Sequence, residues 1–209
     1  MILLKDGVKY GPYSYTSEEE LADMVVEHYR EIFGKNSLYF GPQTLKTRTG
    51  EARSDGLVVS LDEDKWYILE VELAKHPLSE HIIPQITKFS IAYDETETRK
   101  KIIGTLYTAI KQTQKIEDLH KILTDLIETQ PTIAIIIDQK TPELNIICKK
   151  LPFPTQTIEF KTYTRENIGI GVHVHEFQPI FEKEIVVQPP KPPEKIPQKL
   201  RQVLDVAES

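Results

Sequence analysis

Apolar and polar positions fall along this chain in short blocks that can be read one at a time. Ile2 to Leu4 and Val8 to Tyr10 flank Lys5-Asp6-Gly7, which predicts a hairpin turning on Asp-Gly. Ser17 with Glu20 three positions later makes a capping box, and Glu18 and Glu19 suit the positive end of a helix. Leu21, Val25, His28 and Ile32 then recur at helical spacing until Gly34 ends the run. Gly41 to Gly50 is polar and reads as a loop, in which Lys46 and Arg48, with Arg53 beyond them, collect positive charge. Gly56 to Leu61 and Trp66 to Leu73 are apolar runs joined by Asp62-Glu63-Asp64-Lys65, the pattern of a second hairpin.

Ser79 to Tyr93 has helical spacing, although Pro84 is tolerated only in a first turn and moves the expected start toward Ile82 or Ile83. Thr96 to Thr113 and Ile116 to Thr129 each carry an apolar stripe, and Pro131 stops the second. Thr132 to Ile137 is apolar at consecutive positions, which predicts a central strand buried on both faces. Leu144 to Cys148, Thr157 to Tyr163 and Gly171 to Phe177 read as three more strands. Strands interleaved with helices in this way give an α/β fold.

Within the second hairpin, Glu70 and Glu72 are two apart and so share a strand face with Ile68, opposite Tyr67, Leu69, Val71 and Leu73. That face is either solvated or buried. Burying two carboxylates costs several kcal/mol unless hydrogen bonds or a cation compensate. Mg²⁺, which prefers one or two carboxylates plus water and phosphate oxygens, is the usual cation for such a pair.

Asp55 opening one strand, fifteen residues, and then Glu70-Val71-Glu72 on the next resembles the PD-(D/E)XK, or restriction-endonuclease-like, nuclease superfamily. Gln85 to Phe89 is similar to the Gln-x-x-x-Tyr of the helix that follows in that superfamily, with Phe89 in place of Tyr. The resemblance implies a mixed central sheet flanked by helices and hydrolysis of DNA phosphodiesters with Mg²⁺ or Mn²⁺. It implies that Asp55 and Glu70, with a backbone carbonyl near Val71, hold the metal, and that Gln85 positions water or the DNA backbone. Glu72 stands where the superfamily pattern has lysine, and is expected to act as a general base or to bind a second cation.

Two further residues take roles only through the resemblance. Glu18, in Glu-x-x-Leu with Leu21, is similar to an acid on the first helix that orients metal or water; the helix dipole explains it as well. Lys75 is three residues past Glu72 and matches members whose basic group has migrated, while an ordinary surface lysine is the plainer reading. His81 lies four before Gln85 on one helix face and reads as a capping or phosphate-touching group. His173 and His175 share a strand face with no third ligand in view and read as structural.

Composition narrows the picture. The chain has 209 residues and a net charge of −6, so a nucleic-acid partner has to be met by local basic patches. The single cysteine, Cys148, sits in an apolar run and reads as a buried, inert thiol. No run approaches a membrane span, and cytoplasm is the default compartment. Residues 1–186 are expected to form the α/β domain. From Val187 a Pro-rich spacer leads to a short amphipathic helix over Ile196 to Ala207, expected to dock on a partner or lead into a further domain. Cleavage of both DNA strands would suit a homodimer. The other reading of the same residues is a catalytically inactive nuclease-like module that binds nucleic acid or a protein.

Overall fold

In a computed structural model of the chain, which describes residues 1–47, 50–61, 63–113 and 115–181, the expected second hairpin is the centre of the fold. Its strands, β6 (Gly56–Ser60) and β7 (Lys65–Glu72), pair antiparallel, with Gly56 opposite Leu69. β3 (Ser37–Phe40) pairs antiparallel with β6 on its other side. β8 (Thr132–Ile137) runs parallel to β7, and β9 (Thr155–Glu159) parallel to β8. The result is a mixed five-stranded sheet in the order β3-β6-β7-β8-β9.

Parallel neighbours need crossover connections, and helices supply them. α3 (Leu78–Asp94), α4 (Thr96–Thr113) and α5 (Leu119–Ile127) lead from β7 to β8, and α6 (Pro142–Cys148) leads from β8 to β9. These helices cover one sheet face, burying Trp66, Ile68, Ile133, Ile135 and Ile137 with their own apolar stripes. α1 (Glu18–Glu27) and α2 (Tyr29–Phe33) cover the other, over Tyr67, Leu69, Val71, Ala134 and Ile136. Helices on both sides explain why β8 is apolar at successive positions: each Ile has a layer to enter, worth about 1.5–3 kcal/mol apiece.

A second sheet, in the order β1-β2-β10-β11, is built from β1 (Leu3–Lys5), β2 (Val8–Pro12), β10 (Lys161–Arg165) and β11 (Gly169–Glu176). The first hairpin is as expected, with Asp6 and Gly7 both at positive φ. Its β11 packs back on the end of α1, where His175 lies against Phe160 and His28 at ring separations of 4.8 and 4.6 Å. Burial, helped by His28 and His173, pushes His175 down to about 4.

Several expectations are corrected. The polar stretch after Gly41 is a two-stranded arm, β4 (Gln43–Thr47) and β5 (Gly50–Ser54), whose Leu45 and Ala52 reach the core on alternate positions. The first helix is two, broken at His28. Ser17 caps α1 as expected, accepting from the Glu20 N–H at 3.2 Å, but the Glu20 carboxylate reaches back to the Thr16 N–H at 2.8 Å instead of to Ser17. Leu144 to Cys148 is helical, because Thr141 caps it and Pro142 starts it, and Leu144 and Ile147 meet the core three apart while Ile146 faces out. Thr157 to Tyr163 is divided at Phe160 between β9 and β10 in different sheets. α3 begins at Leu78 and runs through Pro84. The spacer from Val187 and the helix over Ile196 to Ala207 lie outside the described residues. Among the described residues no helix is long and apolar enough to cross a membrane.

One close approach fixes the head of β6. A Cβ at Gly56 would lie 2.5 Å from Cε2 of Tyr39 and 3.1 Å from the Phe40 carbonyl, and the Tyr39 hydroxyl donates to the carbonyl of the neighbouring Asp55 at 3.1 Å. Gly56→Ala is therefore expected to destabilise the protein by about 1–3 kcal/mol in urea unfolding. The same substitution in a Tyr39→Ala background should cost clearly less; equal costs in both backgrounds would show that the ring contact is not the cause.

Candidate functional site

β6 and β7 diverge where the chain bends at Asp55, and acidic side chains finish the ladder there. Continuing the register of Gly56 with Leu69 puts Asp55 opposite Glu70. The Asp55 N–H donates to the Leu69 carbonyl at 3.1 Å, and Asp55 Oδ2 accepts from the Val71 N–H at 2.8 Å. Glu72 Oε1 accepts from the Leu73 N–H at 3.3 Å, and Asp138, just past β8, accepts from the Ala74 N–H at 2.8 Å. Each of these amides would otherwise lack a strand partner.

Glu70 and Glu72 point to the face that α3 covers, together with Ile68. Both are buried, 5% and 6% exposed, which removes the reading of a solvated face. From α3, Gln85 Nε2 donates to Glu70 Oε2 at 2.7 Å. The other oxygen, Glu70 Oε1, is buried with no hydrogen-bond partner among the described residues. Burial first, then the charge of Asp55, raises Glu70 well above the usual carboxylate range, against the Gln85 bond that lowers it. Burial also raises Asp55, opposed by its bond to Val71.

Glu72 belongs to a second group. His76, four residues on, brings Nδ1 to 2.9 Å from Glu72 Oε1, and the same nitrogen contacts Glu18 Oε1 from the start of α1. His81 Nδ1 lies 3.8 Å from Glu72 Oε2. Burial, followed by the hydrogen bond to Glu18, pushes Glu72 up to about 7. For Glu18 burial opposes ionisation, but its bonds to Glu72 and His76 prevail and hold it below the usual range. Of this acid pair, Glu72 therefore holds a proton more readily than Glu18. His76 is raised, by Glu18 first and Glu72 next, and so carries positive charge more readily than a free histidine.

Among the residues expected from the sequence, Asp55, Glu70, Glu72, Gln85 and Glu18 converge at this end of β7. Lys75 turns away: its ammonium donates to the carbonyls of Tyr15 and Thr16, at 3.3 and 3.2 Å, and ties the β7–α3 connection to the entry of α1. The residue the sequence reading missed is His76. Its signal was the position four after Glu72, which means little for a strand residue followed by a loop and gains meaning only from how the chain turns at Ala74.

The arrangement offers two carboxylates with hard oxygen donors, Asp55 and Glu70, and beside them an acid with a proton near neutrality and a histidine biased toward its cation. Asp55 keeps one oxygen outside the Val71 bond, and Glu70 Oε1 requires a partner, so the pair fits a divalent cation that takes one or two carboxylates and water. Comparison of the chain with protein-family models, with curated proteins and with solved structures finds no match.

Raised carboxyl groups make a signed contribution to stability. Glu70 binds its proton more tightly folded than unfolded, so its contribution is full below the unfolded value and is lost as pH rises toward the folded one. In chelator, Glu70→Gln is expected to leave the melting temperature unchanged near about pH 4 and to raise it near about pH 8. A melting difference that does not grow with pH would sink this account of Glu70.

Proposed function

We propose that this chain is a metal-dependent phosphodiester hydrolase acting on DNA, a restriction-endonuclease-like nuclease with Glu-x-Glu at the position of Glu-x-Lys. The observation that carries this reading is the buried, unpartnered Glu70 Oε1 beside Asp55: a carboxylate held by Gln85 in a site that a hard cation would complete. The mixed sheet, with the acids at the diverging ends of β6 and β7 and Gln85 on the helix that follows, supports the same reading.

In this reading Asp55 and Glu70 hold Mg²⁺, or Mn²⁺ in its place, and Gln85 fixes the rotamer of Glu70. When bound there, such a cation would supply Lewis-acid polarisation of the scissile phosphate and a water of lowered pKa. Glu72, whose pKa is brought to about 7, is suited to accept the proton of the attacking water. The positive charge that lysine would bring comes instead from His76, which Glu18 and Glu72 hold in place. Glu18 thus acts as a positioning residue. Arg53, exposed on β5 two residues before Asp55, is a phosphate contact on the approach.

A specific observation favours the second reading, a nuclease-like module without activity that binds nucleic acid or protein. Lys75 is engaged with backbone carbonyls of Tyr15 and Thr16 and does not replace the missing lysine. The net charge of −6 also gives no general attraction to DNA.

Nicking of supercoiled plasmid in Mg²⁺ and in Mn²⁺ separates the two. Asp55→Ala and Glu70→Ala should each lower the rate at least about 100-fold, about 2.7 kcal/mol of barrier, with circular dichroism unchanged. Gln85→Ala should weaken Mg²⁺ activation about 10–100-fold. Undiminished cleavage by Asp55→Ala would end the hydrolase reading, and a folded wild type that cleaves nothing would favour the binding module.

A further inference from the structure

Away from the acids, three imidazoles from two separate elements meet on the α1 face. His28 caps the C-terminal end of α1, while His173 and His175, two apart on β11, project to the same side of that strand. The rings of His28 and His175 are 4.6 Å apart, and those of His173 and His175 are 4.7 Å apart. One nitrogen from each ring lies within 4.8 Å of the others.

The hydrogen bonds on the far side of these rings bear on what the near side can do. His173 Nδ1 lies 2.7 Å from the Ile170 carbonyl, which can only accept, so Nδ1 carries the proton and Nε2 of the neutral ring has a lone pair. His175 Nδ1 lies 2.8 Å from Thr162 Oγ1, whose hydroxyl also meets the Tyr15 hydroxyl. His175 Nε2 is buried with no hydrogen-bond partner among the described residues. A remote hydrogen bond that fixes the tautomer, with the other nitrogen left for an ion, is the usual environment of a metal-bound histidine.

We propose that His28, His173 and His175 bind one divalent ion of the Zn²⁺ class through three imidazole nitrogens, with water or an added ligand in a fourth position. Three neutral nitrogen donors suit Zn²⁺, Ni²⁺, Cu²⁺ or Co²⁺ and do not suit Mg²⁺. Tetrahedral Zn²⁺ with bonds of about 2.0–2.1 Å sets its nitrogens about 3.3 Å apart, which the rings reach by pivoting on the order of 1 Å. A groove of about 770 Å³, lined by Glu31, His175 and Phe181 among others, runs beside the site. The ion joins the end of α1 to β11, and so cross-links the layer under the main sheet to the second sheet. This site shares no residue with Asp55, Glu70 or the Glu18–Glu72–His76 group and stands whether or not the chain cleaves DNA.

The test is calorimetric titration of Zn²⁺ into tag-free, metal-stripped protein, with melting temperatures in Zn²⁺ and in Mg²⁺. The expected result is one Zn²⁺ per chain and a rise in melting temperature with Zn²⁺ that Mg²⁺ does not reproduce. His173→Ala and His28→Ala, each checked for native circular dichroism, should weaken binding at least about 100-fold, while His76→Ala should leave it intact. Absence of Zn²⁺ binding by the folded wild type overturns the proposal, as does binding that survives both His28→Ala and His173→Ala. Loss in His76→Ala with retention in His173→Ala would move the ion to the acid group, and equally overturn it.

Discussion

Everything at the end of β7 depends on one unfavourable placement: the Glu70 carboxyl lies under α3 with a single hydrogen bond for its two oxygens. A carboxyl in that position either keeps its proton or finds a cation, since the ionised form alone would cost several kcal/mol. The fold supports this placement from both directions. β7 is held on either side by β6 and β8, and α3 returns over it at once through a short connection. Gln85 is the polar group that α3 sends to meet it. A structure built only for stability would have put a leucine there.

Around that point the acids divide by environment. Asp55 is anchored by a backbone amide, Glu70 is buried and under-satisfied, Glu72 shares a proton with Glu18, and His76 is turned toward its cation by both. Four titrating groups thus meet in one corner of the sheet, three carboxyls raised chiefly by burial and a histidine raised by its acid neighbours.

The sequence made the main sheet legible where period and burial agree. Glu70 and Glu72, two apart, had to share a face, and the five consecutive apolar positions Ile133 to Ile137 of β8 had to be central. It failed where local and tertiary signals conflict. Gln43 to Ser54 is too polar to look like paired strands, and only Leu45 and Ala52 reveal that one side of the arm is covered. The run from Leu144 to Cys148 is rich in isoleucine, which suggests a strand, yet Thr141 and Pro142 set it as a helix. Pro84 does not set the start of α3, a helix that runs through it and packs on the β4–β5 arm, α4 and α6. The third histidine beside His173 and His175 comes from the far end of the chain, and no spacing rule could have supplied it.

The capping of β7 has a consequence for how the molecule meets its own kind. Strand ends that outrun their neighbours leave bare amides, and bare amides recruit strands from other chains. Here Val71, Leu73 and Ala74 give their N–H groups to Asp55, Glu72 and Asp138 in turn. These carboxylates thus close the corner to β-augmentation, so that a sheet terminus can end in polar side chains without becoming a seed for aggregation.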